Sequence, residues 1–290
     1  MLNVIIQENS IIIIMEKQQK NIVEIAFINI VLYPTENQRP EEYVRLLSSI
    51  MQDRYKVKSG KSERETLLRT FDNCGSYYHG YFCNAIFLGE DSKTLNVKEN
   101  TLEDSDTDPN KGIDAKDMEF WYYPKYHRFA VYKTHLKRIF KFLNDSFLFK
   151  LGDNEFFAIN VENDKQTIEK IIQAKTLLDI RVSVRYTNND NLEEWEELDD
   201  SLRSSNTEQA ELHMKSPKSK PIEVAKNKVL KAFLYLSKSY GTAKARVLND
   251  AGHTEEINTQ NHPNTMRVDL NDNAAHDMEN YISDVSKNKK

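Results

Sequence analysis

The chain has 290 residues, enough for one large domain or two small ones and for a core that needs no covalent staples. Its formal net charge of -5, with 29% charged and 39% hydrophobic residues, excludes a wholesale basic coat, so any nucleic-acid binding must rest on a local patch. Two cysteines exclude a disulfide framework and fit a reducing, cytoplasmic setting.

Residues 1–20 read as a flexible N-terminal extension. Their apolar run, Ile11 to Met15, is far shorter than the roughly 20 residues that span a bilayer, and no basic leading region or small-residue cleavage site accompanies it. No membrane association is expected, and Met15 is a candidate natural start. Residues 21–150 read as an N-terminal α+β half. Ile22 to Leu32 is dense in β-branched residues and predicts a buried strand. Pro40, Glu41 and Glu42 open a helix with Tyr43, Leu47, Ile50 and Met51 on one face. One or two strands follow between Leu67 and Leu88, with turns at Gly75 and Gly80. Residues 90–117 carry many acids and almost no large apolar side chains, which predicts a mobile acidic loop. Short strands are expected at 119–123 and 128–132, then a helix with Leu136, Ile139, Phe140 and Leu143 inward.

Residues 151–270 read as a second α+β half. A strand at Phe156 to Val161 leads through Asn163 or Asp164 into a helix, and Ile180, Val182 and Val184 then alternate against Arg181, Ser183 and Arg185. Asn191 and Glu194 resemble a capping box for an acidic helix over 191–203 with Leu192, Trp195, Leu198 and Leu202 buried. A strand at Gln209 to Met214 precedes a long helix carrying Ala225, Val229, Ala232, Phe233 and Leu236, which Gly241 is placed to end in the left-handed conformation. Two or three closing strands and a flexible tail over 271–290 complete the chain. The fold class expected is α+β, two small ferredoxin-like or similar α/β-sandwich halves with mainly antiparallel sheets.

Chemistry is sparse. Cys74, His79 and Cys83 are metal ligands by type, but no fourth ligand is evident. Asp104 to Gly112 has the alternating carboxylates of a calcium loop, but its register fails, with Pro109 or Lys111 where glycine is required. No metal or cofactor is expected. His127 and His135 lack a nucleophilic partner nearby in sequence. The segment Trp121 to Tyr132 is the richest, because it interleaves aromatic rings with cations, the two ingredients of single-stranded nucleic-acid binding. Strand alternation assigns Phe129 and Val131 to the core and turns Arg128 and Tyr132 outward. The expected interface is Lys125, Tyr126, His127, Arg128 and Tyr132, extended along the following helix by Lys137, Arg138 and Lys141. Lys125 and Arg128 would meet phosphate while Tyr126 and Tyr132 stack on bases.

The run Tyr123-Pro124-Lys125-Tyr126-His127-Arg128-Phe129-Ala130 resembles the signature of a bacterial family, domain of unknown function 4747. The strand at Leu212 to Pro217, the helix ending at Tyr240-Gly241 and the Asn261-His262-Pro263 turn occur in similar order there. The resemblance spans roughly residues 21 to 270. It implies a bacterial or phage-related cytosolic protein near antiviral defence, and no reaction. The expected function is therefore a non-enzymatic component of a bacterial antiviral defence or stress system that recognises RNA, single-stranded DNA or protein. The alternatives are a metal-dependent nuclease or toxin-like effector, and an interaction or regulatory subunit docking through the acidic helix 191–203. Convergence of Glu155, Glu162, Asp164, Asp179 and Glu211 with a lysine would favour the nuclease.

Overall fold

The computed structural model describes residues 2–7, 10–15, 21–59, 63–87, 93–96, 98–104, 108, 111–152, 156–185, 196–205, 207, 209–217, 219–249, 252–270 and 273–287. In chain order these form β1 (Leu2–Gln7), β2 (Ser10–Met15), β3 (Ile22–Leu32), α1 (Pro40–Gln52), β4 (Val57–Lys58), β5 (Arg64–Asn73), β6 (Tyr78–Phe87), β7 (Lys93–Asn96), β8 (Thr101–Asp104), β9 (Gly112–Tyr123), β10 (Arg128–Tyr132) and α2 (Leu136–Leu151). There follow β11 (Phe157–Val161), α3 (Lys165–Ile172), β12 (Leu177–Arg185), α4 (Glu196–Ser204), β13 (Gln209–Lys215), α5 (Lys228–Tyr240), β14 (Gly241–Leu248), β15 (Thr254–Asn258), β16 (Thr265–Asp269) and α6 (Ala274–Lys287). The class is α+β with antiparallel sheets, as the sequence predicts. No helix among the described residues is long and apolar enough to cross a membrane.

The larger sheet has eight strands in the order β11-β3-β10-β9-β6-β5-β4, with β16 also paired to β3. The apolar run of β3 explains its central place, because both of its faces are covered. Ala26, Ile28, Ile30 and Leu32 meet Tyr43, Leu47 and Ile50 of α1 and Ile139, Leu143 and Phe147 of α2. Ile25 and Phe27 point the other way, into a cluster with Trp121, Tyr123, Met278 and Ile282 under α6. Pro40 opens α1 with its φ already helical, and α2 stops at Gly152, whose φ of 81° suits glycine.

The second sheet, β13-β12-β14-β15, packs against helices on one face among the described residues. Ile180, Val182, Val184, Ala243, Ala245 and Val247 pack against Ile168 and Ile171 of α3 and Leu230, Phe233 and Leu234 of α5. Asp164 caps α3, accepting from the amides of Gln166 and Thr167. Asn227 caps α5 through the Leu230 amide, so the preceding Ala225 lies outside that helix and Val229 faces solvent. Gly241 does not end α5 in the left-handed region. Its φ of 173° is extended, and it begins β14 where a Cβ would meet the Ser183 carbonyl oxygen at 2.0 Å.

At four places the strands and helices cut across the segments read from the sequence. The boundary at residue 150 does not separate the sheets, because β11 pairs with Ile28–Leu32 and β16 with Ile22–Ala26 of β3. Residues 112–117 are not loop: β9 starts at Gly112 and pairs with β6 as far as Phe87, while β7 and β8 form a separate hairpin. The charges there serve as cross-strand partners, Arg64 with Asp114 and Arg69 with Asp117, both at 2.6 Å, on a solvated surface that needs little apolar content. The tail carries α6, whose Ala274, Ala275, Met278, Ile282 and Val285 are buried. In the extension expected to be flexible, β1 and β2 pair as a hairpin.

Candidate nucleic-acid interface

The aromatic and cationic segment forms the end of β9, a tight turn and β10, and most of it is interior. Tyr122 and Tyr123 are fully buried, and Trp121 nearly so. The alternation predicted for β10 is present, with Phe129 and Val131 facing α1 and α2 and Ala130 and Tyr132 facing α6. Its assumed wet face is covered, however. Tyr132 is half-buried and donates its hydroxyl to Glu119 at 2.9 Å; burial, reinforced by that carboxylate, holds its phenol well above the ordinary range.

Arg128 is 1% exposed, so it is not a surface cation. Its Nε donates to Glu162 Oε1 at 2.5 Å and its Nη1 to the Tyr126 carbonyl at 2.7 Å. His127 is buried as well, at a left-handed φ of 54°, and stacks on Tyr43 with ring centroids 4.2 Å apart. The pair Glu162-Asn163 is the corner where the sheets meet. The Asn163 side-chain amide donates to the carbonyls of Ser237 and Gly241 at 2.7 and 2.9 Å, while the Asn264 amide donates to the Glu162 carbonyl at 2.7 Å. Arg128 thus fastens β10 to the corner that meets α5, β14 and β16, while His127 stacks against α1, and both are withdrawn from the expected interface. Of the rest, Lys125 is exposed, Tyr126 half-buried, Arg138 exposed with its guanidinium against the Met118 sulfur, and Lys141 paired with Asp145.

The structure gathers a different cationic surface on the open face of the second sheet. The alternation that buries Ile180, Val182 and Val184 turns Asp179, Arg181, Ser183 and Arg185 outward. The register then sets Arg181 directly between His213 of β13 and Lys244 of β14. One pair along, Asp179 lies between Lys215 and Arg246. That single carboxylate meets His213 at 3.2 Å, Arg246 at 3.5 Å and Lys215 at 3.9 Å, and Lys244 meets Glu256 at 3.1 Å. Together these residues line a shallow basin of about 250 Å³. On the whole face Arg181, Arg185, Lys215, Lys244 and Arg246 outnumber Asp179, Glu211 and Glu256, against a chain that is net negative.

Further along β12 and β14, Ser183 and Thr242 lead from this face into a groove beside the free edge of β11. The first part, about 210 Å³, includes Asn144, Asn160, Arg185 and Gln209; Arg185 donates to the Phe157 carbonyl at 3.2 Å. The second, about 580 Å³, shares Ile159, Asn160, Gly241 and Thr242 with the first and runs to Lys133 and Lys137 at the start of α2. Lys137 is the one residue of the expected interface that lines this path.

The nuclease carboxylates do not converge. Glu162, buried against Arg128, and Asp164, which caps α3, flank the Asn163 corner, while Asp179 and Glu211 lie on the open face of the second sheet; Glu155 lies outside the described residues. No group of three or more His, Cys, Asp or Glu side chains among the described residues is placed to hold a metal ion. Cys74 is exposed and Cys83 buried, with burial and Asp117 raising the Cys83 thiol pKa. In the acidic helix Leu202 is buried and Asp199 is buried in an ion pair with Arg203 at 2.9 Å; residues 191–195, Trp195 included, lie outside the described residues.

Fold and face define an α+β protein with one large sheet whose central strands lie between helices and a second sheet whose open face is rich in cations. The family model described as a domain of unknown function (DUF4747) matches residues 21–285, and the chain belongs to that family. No curated protein matches it.

Proposed function

We propose that this protein recognises RNA or single-stranded DNA, with the sugar-phosphate backbone laid across the open face of the second sheet. The observation that carries the reading is the row His213, Arg181 and Lys244, set side by side on three adjacent strands. Like charges directly opposite each other in a sheet oppose folding, and Arg181 has no carboxylate within ion-pair distance among the described residues. An anionic ligand lying over the row converts that repulsion into binding energy. A flat, cation-rich face with an adjoining groove suits a flexible strand, whose phosphates follow the surface and release counterions on contact. The place of such a protein in a bacterial antiviral defence or stress system rests on the family resemblance alone.

The test is the salt dependence of binding to a labelled single-stranded RNA and a single-stranded DNA of the same length. Each of Arg181→Ala and Lys244→Ala should weaken binding and lower the slope of log affinity against log salt by about 0.7, the value for one phosphate contact on a single strand. The reading fails if the double variant keeps wild-type affinity and slope.

A further inference from the structure

The larger part of the groove differs in kind from the sheet face, and it carries a more specific inference. Its lining combines the apolar side chains of Phe140 of α2, Ile159 of β11 and Pro263 with the polar ones of Asn160 and Asn261. Lys137 stands among the lining residues with no hydrogen bond or ion pair to the described residues, on an exposed turn of α2. At about 580 Å³ the space exceeds what one phosphate needs and is in the range of sites that enclose a small planar ligand. Asn160 adds a second, independent pointer. Its Nδ2 is buried with no hydrogen-bond partner, an expensive condition for an amide, and rotation of the side chain into the groove that Asn160 lines would let a bound acceptor relieve it. Among the described residues the sheet face presents cations but no aromatic or large aliphatic platform for a base. The groove that continues it presents both an apolar wall and an amide.

We infer that this groove takes one nucleobase of the bound strand, flat against Phe140 and Pro263, with the Asn160 amide hydrogen-bonding its edge and Lys137 meeting the adjacent phosphate. The inference rests on the reading of the sheet face as a strand-binding surface, and it adds a site that distinguishes bases from bare backbone. An amide offers one donor and one acceptor side by side, so it reads the paired donor and acceptor on a base edge, whereas the sheet cations read charge alone.

The experiment compares the full chain binding two single strands of about 12 nucleotides, one bearing bases and one of equal length with abasic sugars throughout, at fixed salt. The wild-type protein should favour the base-bearing strand by at least about tenfold, the scale of one well-held base. Asn160→Ala should reduce that preference by about tenfold with the salt slope unchanged. Phe140→Leu, which keeps an apolar side chain against the core, should reduce it too, so a folding defect in one variant does not decide the result. Equal affinity of the wild type for both strands overturns the base site while leaving the sheet reading intact. A preference that survives both substitutions also overturns it, since the base is then read elsewhere. Failure to bind either strand overturns both readings, and that result is separable because it appears in the wild-type protein before any substitution is made.

Discussion

Arg128 combines the features of a ligand-binding cation with the surroundings of a structural one. It neighbours rings and follows a proline turn, yet it is enclosed between the Glu162 carboxylate and the Tyr126 carbonyl. Removing one partner of such a pair leaves the other charged in a low-dielectric interior, which typically costs about 3–5 kcal/mol. Arg128→Ala should therefore lower the unfolding free energy by about that amount in urea titrations, and the protein that remains folded should bind single-stranded RNA with the wild-type salt slope. A variant of normal stability with weakened binding would place Arg128 at the ligand instead. Sequence misplaces it for a definable reason. Alternation assigns side chains to two faces of a strand, but it does not say whether the second face is wet, and here α6, about 150 residues further on, covers it.

At the level of elements, the sequence is legible where one face is apolar and the other is not. α1, α2, β3 and β12 follow the periodicity read from them, and Asp164 caps α3 as its position suggests. It is less legible where amphipathicity is thin. β9 extends to Gly112 on a solvated surface whose acids are matched by arginines from a strand nearly 50 residues away, a pairing that local composition cannot reveal. In α6, Ala274, Ala275, Met278 and Ile282 form the buried stripe, and small residues among many polar ones read as a frayed end. Tyr123 donates its hydroxyl to the Ala275 carbonyl at 2.7 Å, so α6 also satisfies a buried phenol of β9. Met278 is fully buried, and Met278→Ala should destabilise the protein by about 2–5 kcal/mol in thermal or urea unfolding. Unchanged stability would mean that the helix contributes nothing to the core.

The two sheets of the whole molecule are built by an interleaved chain and divide their tasks. The larger holds β3 and β10 between α1 and α2 on one face and α6 on the other, and there His127 stacks on Tyr43 while Arg128 joins the sheet to the Glu162-Asn163 corner. The smaller leaves one face open among the described residues, and on it the cations Arg181, Lys215, Lys244 and Arg246, which stand apart in sequence, become neighbours, with His213 beside them. Each of these residues is visible as a polar side chain in its own segment. Their adjacency depends on which strands pair and in what register, a long-range property, so the candidate site was legible only as scattered alternation in β12 and β14.

The proposed path of the strand crosses the open sheet and follows the groove to Lys137, away from the aromatic segment. Lysine reactivity towards an acetylating reagent, mapped residue by residue with and without a saturating single-stranded RNA, tests this most directly. Bound RNA should protect Lys215, Lys244 and Lys137 and leave Lys125, exposed in the turn of the aromatic segment, as reactive as in the free protein. Protection of Lys125 with Lys215 and Lys244 fully reactive would return the interface to the aromatic segment and contradict the account.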